Sequence, residues 1–140
     1  MLPDSVKVLI YAVRGHELLV FDEPDFPTIE PQVPGGTVEE GEDIALAATR
    51  EFEEETGLIA PIFHPLGIDD YPFEKNGRSH CHRRYYFRCD LPDTIPDTWH
   101  HFEMTPFGGG EPIRFRFFWI PVSEAHERLD YGMEALLEHL

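Results

Sequence analysis

Arg50, Glu51, Glu54 and Glu55 form a dense charged group whose flanks are equally ordered: Gly36, five residues, Glu42, seven residues, Arg50-Glu51, Phe52, one residue, Glu54-Glu55, one residue, Gly57-Leu58. Carboxylates that share one face of a helix repel each other unless a cation sits between them. Hard oxygen donors of this kind select Mg²⁺ or Mn²⁺ over zinc. An arginine beside them can orient the carboxylates through charge-assisted hydrogen bonds. A solvated surface face is the ordinary explanation of a glutamate run. Gly36, Arg50 and Gly57 at these intervals argue instead for a built site that handles metal and phosphate.

The elements that must position these groups follow from local chemistry. Gly35 and Gly36 permit a tight turn, the acidic run Glu39, Glu40, Glu42, Asp43 suits a helix start, and Gly57 suits a left-handed stop. The expected helix runs from about Asp43 to Thr56. At about 100° per residue, Glu51, Glu54 and Glu55 fall within an arc of about 100°, with Ala45, Ala48, Thr49 and Phe52 on an adjacent arc facing the core. Ala47 falls within the acid arc, where a small side chain leaves room for a hydrated ion and a phosphate, and Glu53 points away.

The segment Gly36–Leu58 (GTVEEGEDIALAATREFEEETGL) resembles the Nudix box without a gap. The resemblance implies a single α/β domain over residues 1–140, an α/β/α sandwich with a mixed β-sheet between the box helix and a C-terminal helix. It also implies Mg²⁺-dependent hydrolysis, with Mn²⁺ able to substitute, of a nucleoside diphosphate linked to another group. Carried over by position, Glu54 and Glu55 are metal ligands and Glu51 is a ligand or the general base. Gly36 offers its carbonyl to metal, Glu42 supports the site, and Arg50 orients the carboxylates. Phe52 stands where the family more often has an aliphatic residue, a matter of packing. Related enzymes often recruit a further acid beyond the box; Glu103 and Glu111 are available, and Glu103 is favoured. A nucleotide-binding regulator on the same fold and an RNA 5′-end pyrophosphohydrolase are the alternatives. Tyr71-Pro72 lies near positions where some subgroups carry a marker Tyr or Pro, but reads as a turn before Phe73.

The 140 residues carry a formal charge of −16, which excludes general binding to nucleic-acid backbones. Positive charge is segregated: residues 75–116 hold seven of the 11 Lys and Arg and five of the 27 Asp and Glu. That segregation suits a polyphosphate enzyme, with carboxylates for metal on one side and cations for phosphate on the other. A small nucleotide-type substrate is the expected partner, and a homodimer is left open. With no apolar run long enough for a membrane span and no leader pattern at the N-terminus, the expectation is a cytoplasmic protein without a membrane partner. Cys81 and Cys89 lie along one expected strand, about 26 Å apart, beyond disulfide reach, and read as buried thiols.

Val6–Val13 reads as a buried central strand, turning at Arg14–Glu17 into a hairpin with Leu18–Phe21. The proline-rich segment 23–34 reads as an irregular loop, 62–66 as a short strand, and 67–78 as a polar connection. Alternation over His80–Cys89 puts Cys81, Tyr85, Phe87 and Cys89 on a core face and His82, Arg84 and Arg88 on a basic one. Arg114 and Arg116 alternate similarly with Ile113, Phe115, Phe117 and Trp119. If the two strands pair, His82, Arg84, Arg114 and Arg116 form one cationic patch for substrate phosphates. His80-Cys81-His82 does not suit zinc, because Cys81 points away from both histidines, and His100-His101 should diverge. Residues 91–110 read as a long loop, from which Trp99 is a candidate to stack on a nucleobase. Pro121 and Ser123 mark a helix start. Leu129, Met133, Leu136, Leu137 and Leu140 form its core stripe, with a break near 130–132.

Overall fold

A computed structural model describes residues 2–60, 62–104 and 109–140. Its centre is β1 (Ser5–Arg14), whose apolar run is continuous because both faces are covered. Val8, Ile10 and Ala12 face one core with Phe52, Phe87 and Phe117, while Leu9, Tyr11 and Val13 face another with Tyr86, Ile120 and Leu129. Beside it lie β2 (Glu17–Asp22), β3 (Gly35–Thr37), β4 (His64–Lys75), β5 (Arg78–Asp90), β6 (Thr98–Glu103) and β7 (Ile113–Pro121). The order is β4-β5-β1-β2-β7-β6, with β1 parallel to β5 and antiparallel to β2. The sheet is mixed, as expected.

The β1–β2 hairpin pairs only at Val13↔Leu18 and Arg14↔Glu17, after which β2 diverges towards β7. β3 pairs with the other half of β1, at Lys7↔Thr37, Val8↔Gly36 and Leu9↔Gly35. This divergence opens the sheet next to the box glycines.

The box helix, α1 (Ile44–Thr56), forms where local signals place it. Asp43 caps it by accepting from the Leu46 amide at 3.1 Å, and Gly57, at φ 78°, ends it by donating to the Glu53 carbonyl. Its rotation against the core differs from expectation. Ala47, Ala48, Glu51, Phe52, Glu55 and Thr56 are buried, whereas Ala45 and Thr49 are exposed. Ala47 is therefore part of the apolar core and leaves no room for an ion. A helical wheel gives relative angles only, and the sheet decides which arc turns inward.

Three further expectations are corrected. The 67–78 connection is instead the body of the twelve-residue strand β4, zipped to β5 from His64↔Arg88 to Lys75↔Arg78 and closed by Asn76 (φ 54°) and Gly77 (φ 73°). Asn-Gly is a strong hairpin signal that could have revealed it. The 91–110 loop contains β6, paired with β7; residues 105–108 of that loop lie outside the described residues. The C-terminal helix, α2 (Val122–Arg128), has only seven residues and no side-chain cap. Turns and a 3₁₀ segment (Leu137–His139) carry Met133, Leu136, Leu137 and Leu140 onto the second core. α1 and this C-terminal unit cover opposite faces of the sheet. Both cysteines are buried free thiols.

Candidate active site

Glu51 and Glu55 point from α1 towards the turn at the start of β3, and the two glycines there are needed for clearance. A Cβ on Gly36 would overlap the Glu51 carboxylate, and one on Gly35 would overlap the Val8 carbonyl. The Gly35 amide donates to Glu55 Oε1 at 3.1 Å, tying the turn to the helix.

Arg50 organises the acids as the sequence suggests. Its Nε and Nη2 hold both oxygens of Glu42, at 2.7 and 2.8 Å, while Nη1 reaches Glu51 Oε1 at 2.8 Å and Glu54 Oε2 at 3.1 Å. Nη2 also donates to the Thr37 carbonyl at 3.2 Å. The planar fork thus ties α1 to β3 and to the loop between them. Hydrogen bonding to Arg50 draws the Glu42 carboxyl down to about 2.

Glu51, Glu54, Glu55 and Glu103 line one cavity of about 300 Å³, together with Glu39, Gly36, Thr37, Arg50 and Lys7. Burial pushes Glu51 up to about 7 against the pull of Arg50, with Glu54 and Glu103 adding to the rise. Burial raises Glu55 well above the ordinary carboxylate range, reinforced by Glu103. Glu103 rises for the same reasons, burial first and then Glu54 and Glu23. Buried carboxylates with too few positive partners are what a cation would stabilise. The donor set, carboxylate oxygens and a carbonyl, suits a hard divalent ion. Among the described residues, no three acidic, imidazole or thiol groups already converge to chelate one ion. Chelation therefore requires side-chain rotation, for which the exposed Glu54 has room.

The NUDIX domain family matches residues 1–140. The chain belongs to the NUDIX family. It is 31% identical over 109 residues to mutator protein MutT4 of Mycobacterium tuberculosis, a match covering 75% of this chain but only 38% of that protein. Solved structures share the fold. A MutT NUDIX hydrolase from Burkholderia pseudomallei superposes with TM-score 0.71 at 19% identity, covering 100% of this chain and 99% of that one. The NUDIX domain of Shewanella oneidensis NrtR, solved with ADP ribose, gives TM-score 0.67 at 12% identity, covering 99% and 87%.

A second cavity of this Nudix domain, about 340 Å³, adjoins the acidic one and shares Lys7, Gly36, Glu55 and Glu103 with it. It occupies the gap where β2 leaves β1. Phe21, Val33, Ile113, Phe115 and Met133 give it apolar walls, Glu23 and Gln32 a polar edge, and His82 and Arg84 a basic one. Lys7 was missed in the sequence because it lies within an apolar strand. The pairing Lys7↔Thr37 brings it to the site, where Nζ donates to Thr37 Oγ1 at 2.7 Å.

The expected single cationic patch does not form, because β5 and β7 are separated by β1 and β2. His82 and Arg84 reach the second cavity, but burial, with Lys7 and Arg84 nearby, lowers His82 to about 4, so it is neutral at pH 7. Arg84 is buried against the Tyr131 carbonyl and stacks on Tyr71, so its charge also serves packing. Arg114 and Arg116 line a separate hollow with Asp22, Pro24 and His100, and pair with Asp25 and Asp22. Trp99 stacks on Phe117 and donates to the Thr56 carbonyl at 3.0 Å, an anchor to the core in place of a surface for a base. Glu111 is exposed and lines neither cavity.

Proposed function

We propose that this domain hydrolyses the diphosphate linkage of a nucleoside diphosphate derivative in a Mg²⁺-dependent reaction, with Mn²⁺ able to substitute. The observation that carries this reading is the junction of two cavities, one lined by five box-and-strand carboxylates and one with apolar walls and a basic edge. Glu51, Glu54 and Glu55, with the Gly36 carbonyl and Glu103, would hold the divalent ion. When bound, it supplies charge neutralisation on the phosphate oxygens and acidifies water.

The chain's own residues supply orientation and proton handling. Arg50 donates to Glu51 and Glu54 through one nitrogen, which draws the two carboxylates together before an ion is bound. Lys7 stands at the boundary of both cavities, where a phosphate passing between them would meet a cation. Glu51 would serve either as a ligand of the ion or, outside its coordination shell, as the group that accepts a proton, its carboxyl being held near 7 without metal. Phe21, Val33, Ile113 and Phe115 suit a flat heterocycle, with Glu23 and Gln32 able to meet its polar edge.

Purified protein incubated with Mg²⁺ or Mn²⁺ and a panel of nucleoside triphosphates, ADP-ribose, nucleotide sugars and dinucleoside polyphosphates tests this reading, with Glu54→Gln as the control. Metal-dependent product from the wild type alone supports it. Tight binding of a panel member with no turnover would replace it with a ligand-binding role.

A further inference from the structure

β6 is an edge strand, paired among the described residues with β7 alone, and its last residue is Glu103. An edge strand end has little to hold it in register, and a slip of one residue would turn Glu103 to the opposite face of the sheet. Side chains at alternate positions share a face, so Trp99, His101 and Glu103 all point towards α1.

The first two of these grip the end of that helix. The last carbonyls of an α-helix have no intrahelical partners. In α1, the Glu53 carbonyl is taken by the Gly57 amide, the Thr56 carbonyl by Trp99 Nε1, and the Glu54 carbonyl by His101 Nε2 at 2.9 Å. A carbonyl only accepts, so His101 carries its proton on Nε2. Its ring also lies over Gly57, where an added Cβ would stand 3.1 Å from Nδ1. The carbonyl gripped by His101 belongs to a residue whose side chain lines the acidic cavity, and two residues further along β6 stands Glu103, in that same cavity.

We propose that His101 is a positioning residue, a latch between β6 and the C-terminal end of α1 that fixes Glu103 against Glu54 and Glu55. The proposal rests on the role given above to Glu103 in holding the divalent ion. His101 contributes geometry and does not touch the reacting atoms. It thereby gives one half of the His100-His101 pair a function that adjacency in sequence did not suggest.

The test is a double-mutant cycle of His101→Phe and Glu103→Gln, read by kcat/KM on a substrate found in the panel above and by Mn²⁺ affinity from electron paramagnetic resonance. Thermal melting establishes that each variant is folded. His101→Phe should lower both readouts by about 10- to 100-fold, the usual range for groups that support metal ligands. His101→Gln, which keeps an N–H donor at similar reach, should restore most of the loss. In the Glu103→Gln background, His101→Phe should cost less than about 2-fold, because groups acting through one another are not additive. An undiminished cost in that background, or a silent His101→Phe, overturns the latch. Normal kcat/KM and Mn²⁺ affinity in Glu103→Gln alone would instead remove Glu103 from the site and with it the basis of the proposal.

Discussion

On the α2 side of the sheet, polar groups are buried with partners. Tyr11 donates to the Met133 carbonyl, Tyr86 to the Gly132 carbonyl and Arg84 to the Tyr131 carbonyl. Among the described residues, two atoms are exceptions, Glu134 Oε2 and, on β7, Arg114 Nε, both buried without a hydrogen-bond partner. On the α1 side, Glu51 and Glu55 are buried, accepting from Arg50 and from the Gly35 amide, and both hold their protons more tightly than an ordinary carboxyl. The first arrangement stabilises a fold. The second costs stability, because buried carboxylates are left with little compensating positive charge. Two faces of one sheet thus differ in how fully their buried charges are compensated.

The largest effects should come from breaking the acidic side. Glu54→Gln and Glu55→Gln should each lower metal-dependent turnover by on the order of 10³-fold, the scale of losing one electrostatic stabiliser from an active site. Glu55→Gln should also raise the melting temperature of metal-free protein. Turnover close to wild type in either variant would dissolve the distinction between the faces. Gly36→Ala should be comparably inactive, since the new methyl must displace the Glu51 carboxylate; a progress curve beside that of Glu54→Gln is sufficient to compare them.

The pH dependence of stability sharpens the comparison further. Glu51 has its folded-state pKa raised from 4.5 to about 7. The stability it contributes is full below about pH 4.5 and is lost as the pH rises through about 7. Integrated over that window the loss is on the order of 3 kcal/mol. Denaturant unfolding of metal-free protein across this range should show the decline, and Glu51→Gln should flatten it. A profile unchanged by that substitution would mean that Glu51 is not held protonated.

On the opposite face, Tyr11→Phe leaves the buried Met133 carbonyl without its donor. It should cost about 1–3 kcal/mol of stability while kcat stays within about twofold of wild type. The smallest effect is expected at the rim, where Arg116→Gln breaks an exposed pair with Asp22 worth at most about 1 kcal/mol. KM should not move; a several-fold rise would return Arg116 to the substrate site.

How much was legible follows the range of the interactions. The box helix was readable because Asp43, Gly57 and the acid spacing act within one or two turns of chain. β1 was readable from a nearly continuous apolar, β-branched run of strand length, bounded by a turn at Arg14–Glu17. β4 was obscured by Pro65, Gly67, Asp69, Asp70 and Pro72, which resemble loop composition but are tolerated on an edge strand with one free side. β6 alternates Trp99, His101 and Glu103 inward, yet its inward residues are too polar for a hydrophobic pattern to betray it. Lys7 and Trp99 changed meaning once their neighbours were known.

By itself, the sequence determined the chemical identity of the site: a turn of glycines, a helix of spaced carboxylates and an arginine able to bind several of them. These are properties of residues close together along the chain. Only the tertiary structure decided which arc of α1 turns inward, that β1 and β2 separate β5 from β7, and that Glu103 arrives beside the box on a strand latched to the helix end. Those outcomes depend on pairings between residues dozens of positions apart, selected by the joint burial of two cores rather than by any local preference.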